Sequence, residues 1–142
     1  MHITLHITTG CNMSCGYCYS SPKGRNDMTQ ETAFQSIDFI ADQYPINTGI
    51  IFFGGEPLLK KDLIKETIAY CKSKEKSQEA YFHYKVTTNG ILLDEAFLEY
   101  ANSRYWGQES FLFCLYFKFI SFSGKSAFLV FAFWRSGMSH FY

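Results

Sequence analysis

The chain lacks a net charge, its thirteen Lys and Arg being matched by thirteen Asp and Glu over 142 residues. A neutral chain of this length, roughly one ordinary domain, sets up no global field toward nucleic acid or an anionic membrane. The opening residues MHITLHITTG lack the basic start and the apolar run of a secretory signal peptide. The expected setting is therefore reducing and cytoplasmic, where closely spaced cysteines point to metal or catalysis rather than disulfides. Acids almost vanish after Glu99, leaving Glu109 alone. A fourth cysteine is also lacking where one would look for it. Cys11, Cys15 and Cys18 crowd the stretch CNMSCGYC, and the next is Cys71.

Residues 2–8, HITLHIT, alternate and are β-branched, which predicts a strand. The cysteine loop follows, then the polar stretch SSPKGRND with Pro22 and Gly24 as turn formers. From Thr29 the spacing predicts a helix with Ala33, Ile37, Ile40 and Tyr44 on one face, closed by Tyr44-Pro45. GIIFF, residues 49–53, reads as a strand buried on both faces, ahead of Gly54-Gly55. A second helix is expected from Lys60 to about Lys74, with Ile64, Ile68 and Cys71 inward as core. Lys72, Lys74 and Lys76 with Glu75 and Glu79 read as its solvated end. YFHYKVT, residues 81–87, predicts a third strand ending at TTNG, and residues 92–100 begin a third helix. Strands alternating with helices imply right-handed crossovers and a parallel sheet, either the start of a barrel or of an open doubly wound sheet.

Beyond about Asn102 the composition changes. Residues 111–134 are nearly all aromatic or aliphatic, and nine of the fifteen Phe lie at or after Phe111. The run exceeds the roughly twenty apolar residues of a membrane helix, but Lys118, Lys125 and a central Ser-Gly weigh against that reading. Two buried strands fit the composition as well. A third reading, slightly favoured, is a tail outside selection, from a shifted reading frame or a truncated gene. The expected organisation is a partial core over residues 1–103 and an atypical apolar tail over 104–142.

Three stretches carry chemistry. Spacing of the type C-x3-C-x2-C lets one loop present three thiolates to three irons of a cubane cluster, which normally takes four protein sulfurs. The iron left over offers the open position a catalytic metal needs. A Cys3His zinc site completed by His2, His6 or His83 is the competing reading, although no second knuckle is present. In FFGGEPLL, residues 52–59, two glycines after a strand allow close backbone approach to a ligand, and exposed carbonyls there can accept from an ammonium group. Glu56 would support such an amine, or else be a solvated first-turn acid. In VTTNGILL, residues 86–93, Asn89-Gly90 is a turn signal, with Thr87, Thr88 and Asn89 as polar contacts. Each stretch alone also reads as an ordinary turn. All three follow predicted parallel strands, and the carboxyl ends of such strands are where α/β proteins keep their active sites.

C-x3-C-x-Y-C, then GGEP, then TNG resembles the radical S-adenosylmethionine (SAM) superfamily. LHITTGCNMSCGYCY with FFGGEPLL most resembles its peptide and protein maturases, the SPASM-type branch with the anaerobic sulfatase-maturating enzymes. TTNGILL is shared with the molybdenum-cofactor synthesis cyclases. The resemblance covers residues 1 to about 103. It implies an α/β fold, the N-terminal part (about three strand-helix units) of a partial (β/α)6 TIM-like barrel, followed by the aromatic-rich tail. It implies a [4Fe-4S] cluster on Cys11, Cys15 and Cys18, whose fourth iron is chelated by the amine and carboxylate of SAM. Reductive cleavage of SAM then gives a 5′-deoxyadenosyl radical that abstracts hydrogen from substrate. By the same likeness Tyr17 lies beside the adenine, Gly54, Gly55 and Glu56 border the methionine amine, and Asn89 is a nearby contact. A peptide or protein substrate and an electron donor such as flavodoxin or ferredoxin are implied, while the expectation of no nucleic-acid partner rests on the neutral charge balance. ISFSG, residues 120–124, is a weak echo of a fourth family strand, and Cys114 is too little for auxiliary clusters. The expectation is thus a truncated radical SAM enzyme. The alternative is a non-catalytic zinc-binding fragment or the remnant of a broken gene.

Overall fold

The computed structural model describes residues 1–16, 18, 26–44, 48–78, 81–102, 111–118 and 129–135. Tyr17, residues 19–25, Pro45, Glu79 and the ISFSG segment lie outside them. Strand β1 (His2–Thr8) leads to helix α1 (Gln30–Gln43) and strand β2 (Thr48–Gly54). A 3-10 turn (Pro57–Lys60) runs into helix α2 (Lys61–Gln78), then come strand β3 (Phe82–Thr88) and helix α3 (Glu95–Asn102). The three strands lie side by side and parallel, with Leu5 level with Phe52 and Phe52 level with Val86.

Alternation along each strand puts one apolar row under the helices. Ile3, Leu5 and Ile7 of β1, Ile50 and Phe52 of β2, and Phe82, Tyr84 and Val86 of β3 pack there; all but the partly covered Ile3 are buried. From above, α1 contributes Ala33, Ile37, Ile40 and Ala41, and α2 contributes Leu63, Ile64, Ile68 and Cys71. Each fully buried large side chain stabilises the fold by about 1.5–3 kcal/mol, so this layer dominates the energetics. The other face of the sheet carries Thr4, His6, Ile51, Phe53, Lys85 and Thr87, none of them fully buried. The expectation of a β2 buried on both faces is corrected accordingly: only its helix-side residues are sealed along Ile50–Phe53.

Local chemistry sets the helix ends. Thr29 caps α1 by accepting from the Thr32 N–H at 3.2 Å. Tyr44, expected on the buried face, is 46% exposed. The helix ends at Gln43, and the extended φ of −142° at Tyr44 swings that residue off the face, which Ala41 completes instead. Helix α2 runs a turn beyond the expected Lys74, and α3 starts at Glu95 rather than Leu92 because Asp94 accepts the Phe97 N–H at 2.8 Å. Glu75 is not merely solvated: it accepts the Phe82 N–H at 3.0 Å and pairs with Lys72 at 3.1 Å, tying α2 to the start of β3.

After α3 the backbone of strand β4 (Phe111–Lys118) lies parallel to β3, and that of β5 (Leu129–Arg135) runs antiparallel to β4. The described residues of the aromatic segment thus form two strands, and among the described residues no helix follows α3. Among the described residues no helix is long and apolar enough to cross a membrane.

Candidate functional site

The carboxyl ends of β1, β2 and β3 converge, and their loops are knitted together by polar contacts. At the end of β1, Thr8 is buried; its hydroxyl donates to Asp27 Oδ1 at 2.6 Å and accepts from the Gly10 N–H at 2.9 Å. The Thr9 N–H donates to the Asn26 carbonyl and the Met28 N–H to the Ile7 carbonyl, both at 2.9 Å. Lys60 at the end of the 3-10 turn pairs with Asp27 at 2.5 Å. Residues 26–28 therefore clamp the base of the cysteine loop onto β1 and the 3-10 turn.

The glycine pair after β2 is demanded by the first loop. The Gly55 N–H donates to the Thr8 carbonyl and the Glu56 N–H to the Gly10 carbonyl, each at 2.8 Å. A Cβ on Gly54 would stand 2.2 Å from the Thr8 carbonyl oxygen, and one on Gly55 would stand 2.3 Å from that of Gly10. Gly54 also has φ +145°, a conformation that side chains rarely adopt. Both glycines are thus explained by backbone meeting backbone.

Glu56 is fully buried, which overturns the reading of a solvated first-turn acid. Its Oε1 accepts the Leu58 N–H at 2.9 Å and the Thr88 hydroxyl at 2.7 Å, and its Oε2 accepts the Asn89 N–H at 2.8 Å. A buried carboxylate is tolerated when several donors replace its water. Here the donors come from its own turn and from the end of β3, 32 and 33 residues onward. Thr88, itself buried, accepts the Gly90 N–H at 3.0 Å, and Gly90 takes φ 80° to close the turn.

Cys11 and Cys18 are exposed and Cys15 is half-buried, and none of the three is in a disulfide. The Cys18 N–H donates to the Cys15 carbonyl at 3.0 Å, so these two share a turn. The Met13 N–H points at Cys11 Sγ at 3.4 Å. Asn89 reaches the cysteine loop from β3: its Nδ2 donates to Asn12 Oδ1 at 2.8 Å and lies 3.9 Å from Cys11 Sγ. Tyr17 lies outside the described residues. Cys71 sits apart in the core, where burial pushes its thiol up to about 12.

Among the described residues no three His, Cys, Asp or Glu side chains stand close enough to hold one metal ion. The Cys3His zinc arrangement is therefore not formed among them. His2 and His83 meet each other, ring centroids 5.2 Å apart, at the amino ends of β1 and β3, roughly 20 Å of strand from the cysteine loop. His6 packs edge-on against Phe53. A cubane asks for a different arrangement, because each thiolate binds its own iron and the sulfurs stand apart around a cluster. Three cysteines on one short loop, none in a disulfide, with N–H donors at the first sulfur, fit that group.

Sequence reasoning missed Thr8 and Asp27 and treated Thr88 as a ligand contact. A signal existed in the repeated Thr-x-Gly at the ends of β1 and β3, residues 8–10 and 88–90. In both, the hydroxyl accepts the N–H two residues on and donates to a distant carboxylate.

Comparison with known proteins places the chain. The family model of the radical SAM superfamily matches residues 5–106. An uncharacterised protein of Methanocaldococcus jannaschii is 35% identical over 98 residues, which are 69% of this chain and 33% of that one. The Fe-coproporphyrin III synthase of Methanosarcina barkeri is 34% identical over 96 residues, 65% of this chain and 22% of that one. The solved structure of native anSMEcpe with bound AdoMet and the Kp18Cys peptide superposes with a TM-score of 0.70 at 19% identity, covering 82% of this chain and 32% of that one. That likeness shows the fold, an α/β fragment of a TIM-like barrel with three parallel strand-helix units. The chain spans a third or less of the length of these relatives. With the match covering β1 through α3, the chain belongs to the radical SAM superfamily, whose members use a [4Fe-4S] cluster and S-adenosylmethionine.

Proposed function

We propose that residues 1–103 are the cluster- and SAM-binding part of a radical SAM enzyme that modifies a peptide or protein in the cytoplasm. Cys11, Cys15 and Cys18 would hold the cluster. Tyr17 would lie beside the adenine, the Gly54–Glu56 segment would border the methionine amine, and Asn89 would complete the cofactor side. Cluster and SAM, when bound, supply reductive cleavage of the sulfonium and hydrogen abstraction from substrate. The chain's own residues do the positioning. Thr8, Asp27 and Lys60 hold the base of the cysteine loop, and Asn89 braces Asn12 beside the first sulfur. The single observation that carries the reading is that three cysteines outside any disulfide, a glycine pair and a Thr-Asn-Gly turn share one end of a parallel sheet.

The finer reading, a maturase acting on a polypeptide with a flavodoxin or ferredoxin as electron donor, is supported by the motif likeness and by the fold shared with anSMEcpe. The family match ending at residue 106 supports a unit boundary near residue 103, with 104–142 outside the core. The nucleotide sequence around codon 103 tests the origin of that segment: a second frame continuing the strand-helix repeat would mark it as a frame error.

Anaerobic reconstitution with iron and sulfide tests the function. The expected result is a brown protein with four irons per chain that converts SAM to 5′-deoxyadenosine under a strong reductant. A colourless protein holding one zinc would end the proposal.

A further inference from the structure

Glu56 is the residue whose structural setting departs furthest from its expected role. A carboxylate that borders a ligand's ammonium group should face the ligand. This one is buried and accepts three hydrogen bonds, all from its own chain. Its main-chain N–H meanwhile donates to Gly10, one residue before the first cysteine. One residue thus touches all three loops: the first through its backbone, its own turn through Leu58, and the third through Thr88 and Asn89. Asn89 in turn braces Asn12 and approaches Cys11. The path from Thr88 through Glu56 to Gly10, and from Asn89 to Asn12, is a closed ring of contacts around the end of the sheet.

We infer that Glu56 and Thr88 form a positioning strut: their buried carboxylate-hydroxyl pair sets the spacing between the glycine turn and the loop after β3, whose Asn89 braces the cysteine loop, and the Glu56 carboxylate acts on SAM only through that spacing. The inference rests on the proposed cofactor reading and names how this site is held in shape. Breaking the strut leaves the three cysteines, the Gly54–Gly55 backbone and the Asn89 side chain present and lets the loops drift. In low dielectric such a pair acts as a unit, so removing either partner forfeits most of the effect of both.

The test compares Glu56→Gln, Thr88→Val, the double variant and Thr88→Ser in the full chain. SAM affinity is read from the change that SAM causes in the spectrum of the reduced cluster, and amide hydrogen exchange is read without any cluster. In the wild type the Leu58 and Asn89 amides, both bonded to Glu56, should exchange slowly. The strut predicts faster exchange at Asn89 and about tenfold or greater weakening of SAM binding in each single variant. The double variant should be little worse than either single, and Thr88→Ser should restore both readouts. SAM affinity unchanged in Thr88→Val but abolished in Glu56→Gln would overturn the inference, because the carboxylate would then be touching the ligand itself. Additive losses in the double variant would overturn it too. A wild type whose cluster ignores SAM would sink the cofactor reading instead, and exchange at Asn89 that none of the substitutions alters would sink the strut independently.

Discussion

The two ends of strand β2 present the same geometrical problem and solve it differently. At the amino end, a Cβ on Gly49 would stand 2.0 Å from His2 Nδ1 and 2.7 Å from His83 Nε2. At the carboxyl end, a Cβ on Gly54 or Gly55 would stand 2.2 or 2.3 Å from a carbonyl oxygen of the first loop. The near distances are alike, but the obstacles are not. Imidazoles at strand starts can rotate away, whereas carbonyls that accept neighbouring N–H groups cannot move without undoing the joint between loops. The amino end is closed by side chains that can yield. The carboxyl end is closed by backbone and buried polar pairs.

The largest effect that would break this comparison lies in the cysteines. Replacing Cys11, Cys15 or Cys18 with Ala should abolish iron retention after reconstitution, measured as iron per chain, while Cys71→Ala should retain it. Alkylation sharpens the same contrast. At pH 8 the Cys71 thiol, at about 12, is almost wholly protonated as well as buried. Iodoacetamide followed by peptide mapping should label the loop thiols promptly and Cys71 only after unfolding in urea.

The glycines come next. Gly55→Ala should cost roughly 3 kcal/mol in urea unfolding of the cluster-free chain, since a wedge against backbone cannot relax. Gly54→Ala should cost about as much, with strain at its positive φ added to the clash. Gly49→Ala should change stability by less than about 1 kcal/mol, the added clash being offset by the lower entropy cost of Ala. A larger loss at Gly49 than at Gly55 would reverse the comparison.

The smallest effect concerns pH. Burial first, then His2 and the terminal amine, holds His83 below its ordinary value near 6.5. A base with a lowered folded pKa is protonated first in the unfolded chain, so acidification favours unfolding. Stability should decline as pH falls from about 6.5 through the lowered folded value, and His83→Gln should flatten that part of the profile.

Much of this was legible along the chain because it is local. The alternation of Ile3, Leu5 and Ile7, the 3.6-residue spacing of Ala33, Ile37 and Ile40, and the three clustered cysteines are all written within a few positions. Tyr44 failed as a core residue because periodicity does not announce the turn at which a helix ends. The ties that shape the site join residues far apart in sequence. Thr8 meets Asp27 at a separation of 19 residues and Thr88 meets Glu56 at 32, and neither pair leaves a local pattern beyond a Thr-x-Gly. Glu56 could be read as a solvated acid because its burial is a property of three loops together, and no one of them carries it.

The central claim is that three cysteines leave one iron of the cluster for SAM. The most direct measurement is the electron paramagnetic resonance spectrum of the reduced, reconstituted chain, recorded with and without SAM. The account predicts a [4Fe-4S] signal whose shape changes on adding SAM and does not change with methionine plus adenosine. A signal identical in all three samples would contradict it.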